Sequence, residues 1–132
     1  MKPPKKVFRK TETELNRTRI LDVLETVFAG SYCRKITASI YKRGMADNFC
    51  CIDGLFVAIE AKKQGEKPTV LQEVELTKVA IAGGVSLCVT FNYDGTKTAT
   101  EYTIDRIPGA MVLSRRILEV LACTSVQSAG AR

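Results

Sequence analysis

The sequence predicts an α/β domain in which a mixed central sheet, built in the order α-β-β-β-α-β, is flanked by helices. Three observations lead there. Asp53-Gly54 is a two-residue turn signal between two apolar runs, which reads as a β-hairpin. Residues 85–91 form a continuous apolar run, as expected of a strand buried on both faces after a helical crossover. Two segments, 11–28 and 69–82, carry apolar residues at helical spacing.

Taken in order, residues 1–10 are a basic, Pro-containing arm expected to be flexible. Thr11 or Thr13 caps a first helix whose apolar positions are Leu15, Ile20, Leu21, Val23, Leu24, Val27 and Phe28. Gly30-Ser31 ends it. Tyr32 to Tyr41 reads as a strand, and residues 42–46 as a turn into Asp47. The hairpin follows, with Ile52 set opposite Leu55. Residues 63–68 are a polar loop. Thr69 caps the second helix, whose apolar set is Leu71, Val74, Leu76, Val79, Ala80 and Ile81, and Gly83-Gly84 stops it. Glu73 and Glu75 are placed on its exposed face. After the strand at 85–91, residues 92–100 read as a polar loop and Tyr102 to Ile107 as a short edge strand. Met111 to Ala122 is a last helix. The tail from 124 is small and polar and is expected to fray. The division is a flexible arm (1–10), one domain (11–123) and a flexible tail (124–132).

At 132 residues the chain suits one domain, and a hydrophobic fraction of 45% is ample for a core. No apolar run approaches the roughly 18 residues of a membrane span. The basic N-terminus lacks the apolar segment of a secretory signal, so a cytoplasmic protein is expected. The net charge of +6 favours a polyanionic partner such as nucleic acid. The chain has no histidine, which excludes Ser-His-Asp chemistry. Its five cysteines are odd in number and include no CxxC pair, so reduced thiols are expected rather than a zinc site.

The chemistry concentrates at the hairpin. Counting outward from Ile52 and Leu55 sets Asp47 opposite Glu60. Like charges facing each other across two strands repel, so the pair calls for a cation between them. Lys62, two residues beyond Glu60, lies on the same face. Two carboxylates and an ammonium on one face are the equipment of divalent-metal phosphodiester hydrolysis.

Four segments sharpen this. Arg43-Gly44-Met45-Ala46-Asp47 resembles the RGxPD segment of the VRR-NUC nucleases, within the PD-(D/E)xK superfamily. The run from Phe56 through Glu60 to Lys62 resembles the family's acidic-x-Lys strand. The run from Gly65 through Pro68 to Leu71 and Gln72 resembles its GxxPxxLQ approach to the second helix. Gly83-Gly84 resembles the glycine before its last core strand. The resemblance spans about residues 11–91 and is strongest to short stand-alone phage members, which would work in a bacterial host's cytoplasm. Ala46 departs from the pattern, where the family has proline.

The resemblance implies a PD-(D/E)xK restriction-endonuclease-like core and a Mg²⁺- or Mn²⁺-dependent endonuclease. Asp47 and Glu60 would bind the ion, with the backbone carbonyl of Ala61 as a further oxygen ligand. Glu14 stands for the family's helix-one glutamate, with Glu12 and Glu25 as alternatives. Lys62 would position the attacking water, and Gln72 would orient Lys62 or that water. Lys42, Arg43, Lys63 and Lys67 would contact DNA at the rim of the site. Arg17, Arg19, Arg34 and Lys35 would extend the basic surface. The family includes a flap nuclease, and short versions of the fold resemble archaeal Holliday-junction resolvases, which act as homodimers. A homodimer acting on branched or junction DNA is therefore expected. The alternatives are a non-catalytic DNA-binding module on the same fold and a nuclease subunit of a repair or restriction complex.

Overall fold

The computed structural model describes residues 11–36 and 44–129. Eleven elements follow one another: α1 (Glu12–Asn16), a π-helical turn (Arg17–Leu21), α2 (Asp22–Val27), β1 (Tyr32–Lys35), β2 (Asn48–Ile52), β3 (Leu55–Lys63), α3 (Val70–Ile81), β4 (Val85–Phe91), β5 (Lys97–Glu101), α4 (Ala110–Val120) and β6 (Cys123–Ser128). The six strands form one mixed sheet in sequence order, β1 to β6. Neighbours are antiparallel except β3–β4 and β5–β6, whose parallel pairings are crossed by α3 and α4.

The hairpin has the expected register, Ile52 opposite Leu55. Asp53 and Gly54 both have positive φ, 52° and 80°, as a tight turn between right-twisted strands requires. Alternation then divides the strands. Val57, Ile59 and Ala61 join Leu87 and Val89 in the larger core, under α1, α2 and α4. Ala58 and Cys88 face the other side, where Leu76 and Ala80 of α3 cover them.

The first helix is one run with a wide turn inside it. Thr11 caps it: its hydroxyl accepts from the Glu14 N–H, and the Glu14 carboxylate accepts from the Thr11 N–H. Leu15-Asn16 and Ile20-Leu21 are all buried although five residues separate the pairs. A π-helical turn brings both pairs to the inward face.

Four expectations are corrected. The strand in the 92–107 region is Lys97–Glu101, not Tyr102 to Ile107. Its inward residues are Lys97, Ala99 and Glu101, so no apolar alternation marks it. Long-range bonds satisfy its charges: Lys97 Nζ donates to the Leu121 carbonyl at 2.6 Å, and Glu101 accepts from Ser114 Oγ at 2.6 Å and Arg115 Nε at 3.0 Å. The tail does not fray at Thr124, because residues 123–128 form β6 on the edge of β5. On α3, Leu71, Val74 and Ile81 stay exposed, since the stripe facing the sheet is Leu76, Val79 and Ala80. Glu73 and Glu75 are half-buried rather than exposed, and Tyr102 Oη donates to Glu73 at 3.4 Å. The expected strand 32–41 is seen as Tyr32–Lys35, and residues 37–41 lie outside the described residues. The five cysteines are free thiols. No helix among the described residues is long and apolar enough to cross a membrane.

Candidate active site

Antiparallel pairing carries β2 and β3 outward to Asn48 opposite Ile59. The next residues outward are Asp47 and Glu60, and they lock together. The Asp47 N–H donates to Glu60 Oε2 at 3.1 Å, and Asp47 Oδ2 accepts from the Ala61 N–H at 3.0 Å. Each carboxylate thus receives a backbone N–H from the opposite strand. Glu60 Oε1 takes two further partners: Gln72 Nε2 donates to it at 3.1 Å, and Lys62 Nζ lies 3.6 Å away.

Glu60 is 1% exposed. Burial, and secondarily the neighbouring Asp47 charge, push its carboxyl up to about 8, against the pull of Lys62. Cys88, its register partner on β4, is pushed up to about 12, first by burial and then by the Glu60 charge. Asp47, Lys62 and Gln72 are half-buried, so the cluster has a closed floor and an open side. On that side lies a cleft bordered by Lys67, Pro68, Glu73, Cys88, Thr90 and Tyr102. Cys88 and Thr90 pair with Glu60 and Lys62, so the cleft adjoins the carboxylates.

Gln72 sits where α3 begins. Thr69 caps the helix by accepting from the Gln72 N–H at 3.1 Å, while Gln72 Oε1 accepts from the Thr69 N–H at 2.9 Å. Its amide nitrogen remains for Glu60. Gln72 is expected to orient Lys62 or a water; its hydrogen bond goes to Glu60 Oε1, the same oxygen that faces Lys62.

The structure therefore brings together Asp47, Glu60, Ala61, Lys62 and Gln72. Glu14 is not bonded to them. It is exposed in the first turn of α1, and its carboxylate closes the Thr11 cap. Glu25 is exposed on α2, and the Glu12 side chain lies outside the described residues. Lys67 is exposed at the cleft. By strand alternation Lys63 points away from the face of Lys62. Lys42 and Arg43 lie outside the described residues. Arg17 is exposed, whereas Arg19 donates to the Gly95 carbonyl and Arg34 lies over the Tyr32 ring.

A buried amide pair behind the site was not foreseen. Asn16 Nδ2 donates to Asn48 Oδ1 at 2.7 Å, and Asn48 Nδ2 donates to Asn16 Oδ1 at 2.6 Å and to the Ile59 carbonyl at 3.2 Å. The pair ties the first helix to the residue after Asp47. Parity was the available signal: Asn48 shares its face with Cys50 and Ile52, so its side chain had to enter the core.

The donor set fits a hard divalent cation. Asp47 and Glu60 present carboxyl oxygens from adjacent strands, and a bound cation would take the place of the proton that Glu60 otherwise keeps up to about 8. Among the described residues no group of three or more His, Cys, Asp or Glu side chains is gathered, so a cation here would complete its shell with backbone oxygen and water.

No protein-family model and no curated protein matches the chain. Among solved structures it is similar to the Holliday junction resolvase Hjc of the archaeal hyperthermophile Archaeoglobus fulgidus, at 17% identity over 73% of this chain and 82% of that one, with a TM-score of 0.45.

Proposed function

We propose that the protein is a divalent-metal-dependent DNA endonuclease with Asp47, Glu60 and Lys62 as its catalytic residues. One observation carries the reading. Two carboxylates stand side by side on paired strands, one of them buried, with an ammonium 3.6 Å from the buried one, beside an open cleft. A structural ion pair with Lys62 needs one carboxylate; the second makes ionising Glu60 costly, a cost that a bound cation would offset. The segments around these residues also resemble VRR-NUC nucleases.

In this reading Asp47 and Glu60, with the Ala61 carbonyl, hold Mg²⁺ or Mn²⁺. A bound ion would supply an activated water and would offset charge on the phosphate. Lys62, 3.6 Å from Glu60, orients the water or neutralises the phosphoryl oxygens. Gln72 fixes the rotamer of Glu60, so that its second oxygen stays aimed at the site. Glu14 is proposed as an additional ligand only if its capping bond opens. Lys42, Arg43 and Lys67 are proposed to hold DNA phosphates at the rim of the site, and Lys63, on the other face of β3, phosphates beyond it. The chain is small and basic, so selectivity is assigned to DNA shape: a homodimer acting on branched or junction DNA.

The test is incubation of the pure chain with labelled single strand, duplex, flap and four-way junction, with and without Mg²⁺ or Mn²⁺. Metal-dependent cleavage, fastest on a branched substrate, is expected. Binding without cleavage in either metal would overturn the enzymatic reading and favour a DNA-binding module.

A further inference from the structure

Strands β1, β2 and β3 carry three aromatic rings on the sheet face that holds Asp47 and Glu60. Pairing fixes their places. Tyr32 lies opposite Cys51 and Cys51 opposite Phe56, while the next row is Arg34, Phe49 and Ala58. The row after that holds Asp47 and Glu60. From Phe49 to Asp47 is two residues along the chain, roughly 7 Å.

The rings belong to neither core cluster. Tyr32 is 51% exposed and Phe56 50%. The Phe49 and Phe56 ring planes lie within 5° of parallel with centroids 6.3 Å apart, and Tyr32 stands 6.3 Å from Phe49. The Arg34 guanidinium covers the Tyr32 ring at 4.2 Å. A hollow bordered by Met45, Ala46, Phe49, Phe56 and Val79 opens beside the rings, and Ala46 immediately precedes Asp47.

We propose that Tyr32, Phe49 and Phe56 form a stacking platform for unpaired nucleotides next to the scissile phosphate. This rests on the nuclease reading and refines its substrate. Any base offers a flat π-face to an aromatic ring, whereas bases inside a duplex keep theirs in the helical stack. The guanidinium adds a cation where a strand brings phosphates. A chain with net charge +6 draws that strand in. Charge also argues against the patch pairing with a second copy of itself. A two-fold contact would bring the Arg34 charges of both copies into one interface. The platform selects DNA with a single-stranded segment at the cut, such as a flap, a fork or an opened junction centre.

The experiment uses the full chain in EDTA with a forked DNA carrying 2-aminopurine at the first unpaired positions, and a blunt duplex of equal length. Wild type is expected to bind the fork more tightly and to change the probe's fluorescence. Tyr32→Leu and Phe56→Leu keep apolar volume but lose the stacking face. Each is expected to weaken fork binding on the order of 10-fold, with duplex binding unchanged and the fluorescence change lost. Unaltered fork binding by both variants, or a bound fork whose probe is unaffected, overturns the platform. Conversion of a dimer to a monomer by these variants, with fork affinity per protomer unchanged, assigns the patch to self-association and also overturns it. Metal-dependent cleavage without the fluorescence change removes the platform alone. Absence of binding and cleavage on every DNA removes the nuclease reading with it.

Discussion

Asp47 and Glu60 hold one another through the backbone: the N–H of Asp47 donates to Glu60 Oε2, and the residue after Glu60 returns an N–H to Asp47 Oδ2. Their carboxylates are placed before any cation or substrate arrives. Asp47→Asn, Glu60→Gln and Lys62→Ala are each expected to reduce metal-dependent cleavage on the order of 10³-fold or more, with far-UV circular dichroism unchanged. Single-turnover cleavage of a labelled branched DNA measures it. Near-normal rates for Asp47→Asn would refute the assignment.

The pH dependence of stability has a definite sign. The unfolded chain loses the Glu60 proton near 4.5, and the metal-free folded protein keeps it to about 8. Between those values the folded state binds more protons, so this group's contribution to stability falls as pH rises, by on the order of a few kcal/mol. Denaturant titrations in EDTA from pH 5 to 8.5 should show a downward slope that Glu60→Gln removes. An identical slope in the variant would show that another group controls it. Divalent-ion affinity should rise across the same interval, because binding displaces that proton.

Asn16 and Asn48 are 2% and 0% exposed, and each is the other's main partner. Replacing either by alanine leaves a buried amide unsatisfied and should cost about 1–3 kcal/mol. The double replacement should cost less than the sum of the two, because it leaves no orphan amide. Urea denaturation of the four proteins in the cycle measures the coupling. Strict additivity would mean that the two bonds between Asn16 and Asn48 contribute nothing to stability.

If phosphate contacts dominate DNA binding, affinity should fall steeply with salt and linearly on logarithmic axes. Fluorescence anisotropy from low to physiological salt gives the slope. Sedimentation velocity on the complex is expected to give two protomers per junction. A monomer that cuts linear duplex as fast as a junction would remove the resolvase-like part of the proposal.

The hairpin, α3 and β4 were legible because local chemistry specifies them. Asp53-Gly54 fixed the register, and that register alone put Asp47 beside Glu60. What escaped was held by distant partners. Lys97 and Glu101 are core residues of β5 only because Leu121, Ser114 and Arg115 come round to meet them. β6 has an exposed, polar sequence and exists through its backbone ladder to β5. The wide turn at 17–21 has no marker except buried residues spaced by five. Within the site, Lys62 followed from strand parity. The bond from Gln72 to Glu60 did not, because it depends on how α3 lies over β3.

Gln72 spends its two amide atoms on different tasks, one closing a helix cap and the other restraining a carboxylate. Unwinding the first turn of α3 therefore also removes one of the three partners of Glu60, leaving the Asp47 N–H and Lys62 to hold it. A protein normally tolerates fraying at helix ends, but here the frayed state is one in which Glu60 has lost a restraint from the helix above it. Local order at residue 69 becomes a gauge of how firmly residue 60 is held. Amide exchange at the Thr69 and Gln72 N–H groups would reveal, without any substrate present, what fraction of molecules keeps that restraint.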